Sequence, residues 1–212
     1  MGDTLPGRKA QAARNDGLIL DAARAVFLAD PGAPISAVAE RAGVGISALY
    51  RRYPSKEVLL RTLCYEGLRK YCALGAAALE VPDGWAGLAG FLESVVEADV
   101  HSLTVRLAGG FAPDESILPD LRRAGEIATE LVRRAHASGR LRADIEAADL
   151  SLVLEACSAV GVPDPARTLE LRRRTLALLL AGMQADGPEL PGPPPAPGEF
   201  AGRWEWPQRR PR

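Results

Sequence analysis

The stretch GVGISALYRRYPSKEVLL, residues 43–60, gathers the side chains in this sequence best suited to meeting a polyanion. Between Gly45 and Lys56 the charged residues are Arg51, Arg52 and Lys56, all cationic, and the first acid is Glu57. Arginine and lysine supply the attraction to phosphate that dominates nucleic-acid affinity. Tyr50 and Tyr53 add hydroxyls able to hydrogen-bond phosphate oxygens. Gly45, Ser47 and Ala48 are small, so a helix beginning here can approach base edges closely. The full chain of 212 residues has a formal net charge of −1, so nucleic-acid binding must come from this patch and not from bulk basicity.

Other chemistry finds little support. His101 and His136 are distant in sequence, and no metal-ligand spacing, glycine-rich phosphate loop or nucleophile motif occurs. Asp99 is the only conceivable acid and has no evident partner base. Catalysis and cofactor binding are therefore not expected. Cys64, Cys72 and Cys157 are odd in number. On one helix Cys64 and Cys72 would lie about 12 Å apart along the axis, too far for a disulfide. Small buried hydrophobes in a reducing compartment are the expectation. No signal-peptide-like run and no stretch of eighteen apolar residues occurs, so neither a membrane span nor a membrane partner is expected and the location is read as cytoplasmic.

The positioning elements read as helices throughout, an all-α chain. Residues 1–14 are polar and read as a flexible arm carrying Arg8, Lys9 and Arg14. Asn15 or Asp16 can cap a first helix, whose apolar residues include Leu18, Ile19, Ala22, Ala23, Val26 and Phe27. DPGAP at 30–34 ends it, and Ser36 can cap a short second helix that stops at Gly43. A third helix over about 46–52 ends before Pro54, and Ser55 caps a fourth over about 56–79. Ala39, Val44 and Leu49 can pack the short pair against Leu18, Val26 and Phe27, holding residues 46–52 outward as the second helix of a helix-turn-helix. Further helices are expected over about 84–107, 117–138, 147–160 and 165–184, followed by a proline-rich tail over 187–212. In that tail Phe200 and Trp204 stand at i, i+4, compatible with either a short docked turn or a disordered end.

ILDAARAVFLADPGAPISAVAERAGVGISALYRRYPSKEVLL, residues 19–60, resembles the DNA-binding domain of the TetR family of bacterial transcriptional regulators. The resemblance runs without a gap from the first helix through AERAGV to the LY, YPSKE pattern. It implies a helix-turn-helix domain over 15–60 and a helical ligand-binding and dimerisation domain over 61–186. It further implies a homodimer that binds palindromic double-stranded DNA and usually represses, releasing DNA when a small molecule enters the C-terminal domain. Tyr50, Tyr53 and Lys56 are then implied phosphate contacts, with Ser47, Ala48 and Arg51 nearest the bases and Ser36 and Arg52 on the same DNA-facing surface. Gly45 departs from the capping serine or threonine common in the family, and Ile46 and Ala48 replace commonly polar residues.

In the C-terminal half, Trp85, Leu88, Leu92, Val95, Val96 and Leu103 share one stripe of the helix expected over 84–107. Asp99 and Arg106 fall on that stripe. They either satisfy each other or neighbours, or they line a pocket and orient a ligand. Tyr65, Leu68, Tyr71, Cys72, Ile127 and Leu131 are further candidate walls for a mostly apolar ligand of unknown identity. The last two helices are apolar on more than one face, with Leu150, Val153, Leu154 and Cys157 on one and Leu169, Leu176, Leu180 and Met183 on the other. Two such pairs suit a four-helix dimer interface. The competing reading is a helical adaptor of the same fold that binds a protein partner, using the proline-rich tail.

Overall fold

The computed structural model describes the backbone of residues 6–102, 111, 114–184, 188–196 and 199–200, and side chains from residue 16 onward. Among them run α1 (Pro6–Ala29), α2 (Ile35–Ala42), α3 (Ile46–Arg52), α4 (Lys56–Leu79) and α5 (Gly84–Glu97). A 3-10 turn (Glu115–Ile117) then leads into α6 (Leu118–Ala137), α7 (Asp149–Ala159) and α8 (Pro165–Gln184). The described residues contain no strand, and the fold is all-α.

Two apolar cores organise these helices. The first joins Ile19, Ala22, Ala23 and Phe27 of α1 to Val38 and Ala39 of α2, Leu49 of α3, and Leu59, Leu60 and Leu63 of α4. The second joins Cys72 and Ala78 of α4 to Leu88, Leu92 and Val95 of α5, Ile127 and Leu131 of α6, Leu154 of α7 and Leu176 of α8. Helix α4 thus belongs to both. The first core continues through Tyr65, a few residues past the expected domain limit at 60, because α4 runs on without a break.

Several helix ends differ from expectation. Helix α1 begins at Pro6, not after residue 14, so the expected arm is helical from there. Proline suits a helix first turn, and the Ala-rich run that follows sustains it. Leu18 is exposed, and Ile19 takes the buried position instead. Helix α2 starts at Ile35 with Pro34 as its N-cap, so Ser36 lies in the first turn and caps nothing. Ser55 does cap α4, accepting from the Val58 amide at 3.2 Å. The helix expected over 84–107 stops at Glu97, turns at Ala98–Asp99, and resumes at Val100. Asp99 adopts φ 49°, a left-handed conformation that ends α5. Leu103 and Arg106 lie outside the described residues, as do Trp204 and residues 201–212 as a whole. Cys64, Cys72 and Cys157 are free and buried, and burial pushes the Cys64 thiol up to about 12.

Gly84 marks a close approach between the start of α5 and α6. A Cβ there would collide with the backbone carbonyl of Arg134, which cannot swing aside. Gly84→Ala is expected to destabilise the chain by about 1–3 kcal/mol in chemical denaturation. Gly90→Ala on the same helix, where a Cβ meets nothing within 4 Å, should be neutral or mildly stabilising.

Candidate nucleic-acid interface

Helix α3 has only seven residues and cannot persist alone. Leu49, fully buried, anchors it to the first core. At its start, Gly43 (φ 65°) closes α2 in a left-handed cap: its amide bonds Glu40 O at 3.1 Å and the Val44 amide bonds Ala39 O at 3.0 Å. Gly45 then enters α3 in extended geometry, its carbonyl accepting from Leu49. At the far end the Tyr53 amide returns to Leu49 O at 2.8 Å, and Pro54-Ser55 restarts the chain as α4.

The anchored helix presents Ser47, Tyr50 and Arg51 to solvent, with Ala48 half-buried and Ser36 of α2 exposed nearby in sequence. Tyr50 is 46% exposed. Arg51 has no ionic partner among the described residues. Ile46, 40% exposed, offers an apolar surface at the helix start.

Three implied contacts are placed differently. Tyr53 is only 5% exposed and belongs to the first core, so it is not the exposed aromatic expected from the sequence. Burial, reinforced by the Asp16 carboxylate, raises its pKa. The Lys56 ammonium turns inward, donating to the Ala33 carbonyl at 2.7 Å and the Pro31 carbonyl at 3.0 Å, and lies 5.0 Å from the centre of the Phe27 ring. What remains for phosphate at Lys56 is its backbone amide at the start of α4. Arg52 is exposed but paired with Asp16 of α1, its Nη2 2.6 Å from Oδ2. The hydrogen bond and charge of Asp16 raise the Arg52 pKa. Acidic Asp16 thirty-six residues upstream gave no sequence signal of this pairing.

The candidate ligand residues spread over both cores. Tyr65 sits in the first, its hydroxyl accepting from the Asp114 amide at 2.9 Å. Cys72, Leu92, Val95, Ile127 and Leu131 are packed in the second, with Tyr71 against it in edge-on contact with Phe91 at 4.9 Å. Leu68 is half-buried. Burial raises the Tyr71 pKa well above the ordinary phenol range. Of the described candidates, Val95 and Asp99 line a small recess of about 10 Å³ shared with Ser102, Cys157 and Arg172, among others. That is room for about one water. Asp99 is paired with Arg172 at 2.6 Å, which also donates to Val160 O at 2.9 Å. A separate open groove of about 650 Å³ runs between α5 and α8, floored by Val96, Leu176 and Leu180 with Glu93, Glu97 and Arg173 at its edges.

The apolar residues expected at a dimer face are mostly claimed by the monomer. Leu150, Val153, Leu154, Cys157, Leu176, Leu180 and Met183 all lie in the second core, and Leu169 is half-buried. The uncovered apolar residues of these helices are instead Leu152 on α7 and Leu178 on α8, 48% and 67% exposed. Arg142 and Asp144, in the loop between α6 and α7, hold the start of the tail: Arg142 donates to Pro188 O at 2.8 Å, and the Leu190 amide donates to Asp144 at 2.9 Å. No helix among the described residues is long and apolar enough to cross a membrane, and they contain no cluster of three or more His, Cys, Asp or Glu side chains able to hold a metal.

A short helix carried outward on a three-helix platform, with hydroxyl and cationic side chains facing solvent, defines a helix-turn-helix DNA-binding domain. The bacterial regulatory proteins, tetR family, match residues 19–63, and the C-terminal domain of SbtR-like transcriptional regulators matches residues 85–185. The chain belongs to the TetR family of transcriptional regulators, non-enzymatic DNA-binding proteins. Solved structures share its fold. A TetR regulatory protein from Mycobacterium vanbaalenii is 23% identical, with TM-score 0.59 over 84% of this chain and 99% of that one. A gamma-butyrolactone receptor is 19% identical, with TM-score 0.62 over 80% and 85%. The TetR-like regulator LfrR from Mycobacterium smegmatis, in complex with proflavine, is 24% identical, with TM-score 0.57 over 77% and 95%. Comparison with curated proteins gave no match.

Proposed function

We propose that this protein is a cytoplasmic, homodimeric repressor that binds a palindromic operator and leaves it when a small, mostly apolar molecule occupies the C-terminal domain. The observation that carries the reading is α3 itself: Leu49 holds it to the core while Ser47, Tyr50 and Arg51 face outward with no acid among them. Arg51 and Ser47 read bases, Tyr50 meets phosphate, and the amides at the start of α4 add a second phosphate contact. Dimerisation through α7 and α8 would cover Leu152 and Leu178. The gamma-butyrolactone receptor and the proflavine complex of LfrR support the small-molecule part of the reading. The ligand site proposed is the second core around Val95 and Asp99. The recess there is too small for anything beyond a water, so occupancy must shift the chain to a more open conformer.

The test is selection of bound duplexes from a random pool, followed by a screen for molecules that release the selected duplex. A palindromic consensus is expected. Arg51→Ala should lower affinity for it about 10-fold and relax sequence preference, with the melting curve unchanged. Absence of any enriched sequence would favour a protein-binding adaptor instead.

A further inference from the structure

We propose that Asp16 restrains DNA affinity by holding Arg52 on α1, withheld from the phosphate backbone. The inference rests on the DNA-binding reading above and adds to it a residue outside the helix-turn-helix. Both carboxylate oxygens are engaged: Arg52 Nε donates to Oδ1 at 2.7 Å, and Nη2 lies 2.6 Å from Oδ2. The Arg52 guanidinium also lies 5.9 Å from the centre of the buried Tyr53 ring, so the side chain is laid along the domain surface between two fixed groups. Asp16 is the less exposed partner, its side chain 23% accessible against 61% for Arg52, and it sits in the body of a long helix. The carboxylate is therefore the anchored member and the arginine the captured one.

The consequence is electrostatic. A cation already neutralised by a carboxylate displaces no counterion when it nears DNA, and the carboxylate is itself repelled by phosphate. Lys56 spends its ammonium on the Pro31 and Ala33 carbonyls. Of the three cations of residues 45–56, Arg51 alone then remains without a partner among the described residues. Phosphate contacts strengthen binding to every sequence alike, so the restraint lowers the domain's hold on non-operator DNA as much as on its operator.

The experiment measures binding of the full chain to its selected operator and to a scrambled duplex from 50 to 300 mM salt. Asp16→Asn is expected to raise affinity for both duplexes by about the same factor and to steepen the plot of log affinity against log salt by about 0.9 per protomer. Arg52→Ala alone should leave that slope unchanged, and adding it to Asp16→Asn should return the slope to the wild-type value. Asp16→Ser provides a second release variant, with thermal melts confirming that each variant is folded. A fall in affinity on releasing Asp16, or a slope already flattened by Arg52→Ala alone, overturns the restraint, since Arg52 would then touch DNA with Asp16 as its support. Failure of the wild-type chain to bind any duplex even at 50 mM salt overturns the DNA-binding reading, and the restraint with it.

Discussion

Leu178→Glu is expected to leave each chain folded and to convert dimer to monomer, with operator affinity falling at least about 100-fold. The residue is 67% exposed, the highest exposure among the large hydrophobics of the described chain, and lies on the longer of the last two helices. A carboxylate on that face costs the monomer nothing, because no core contact is lost. In a two-fold interface the same substitution appears twice and buries two like charges, which costs several kcal/mol. A monomer reaches only one half-site, and loss of the second set of contacts is worth about 2.7 kcal/mol or more. Analytical ultracentrifugation gives the mass and fluorescence anisotropy the affinity. A mutant that remains dimeric would remove Leu178 from the interface.

Arg172→Ala carries the second large effect, on stability. The side chain is 8% exposed and joins α8 to the α5 break through Asp99 and to the end of α7 through Val160 O. Its removal strands the Asp99 carboxylate and that carbonyl, and leaves a hole where the guanidinium lay. Breaking such a pair costs about 3–5 kcal/mol, nearer the lower value here because the Asp99 side chain is 30% exposed. The accompanying Asp99→Asn change should recover part of the loss by removing the orphaned charge. Urea titrations of the single and double variants measure the coupling. Equal losses in both would show that the carboxylate is indifferent to Arg172.

These residues show which features a sequence makes legible. Helices α3, α4 and α8 announce themselves through local punctuation: Gly45 and Pro54 bracket α3, Ser55 caps α4, and Pro165 opens α8. Helix periodicity also predicts an apolar stripe on α7 and α8, but an all-round apolar helix does not reveal which stripe the monomer consumes. Leu150 and Leu176 went inside, and Leu152 and Leu178 did not. The exposed face of α3 was legible by residue type and less so by direction. Tyr50 and Arg51 face out, while the Lys56 ammonium finds carbonyls twenty-three and twenty-five residues away in sequence. Asp99 shows the same limit: its stripe position predicted either a paired charge or one lining a pocket, and its partner Arg172 lies seventy-three residues downstream, where no local spacing could name it.

Helix α4 carries residues of both cores on one uninterrupted rod of 24 residues, about 36 Å long. With Leu59, Leu60 and Leu63 fixed in one core and Cys72 and Ala78 in the other, it works as a lever with a load at each end. Tilting such a rod by about 4° at its far end displaces its near end by about 2.5 Å. The Lys56 bonds clamp that near end to the turn between α1 and α2, so the three-helix head travels with it as a single piece. In the dimer proposed above, a small volume change beside Val95 would be geometrically amplified into a change of reach between the two heads.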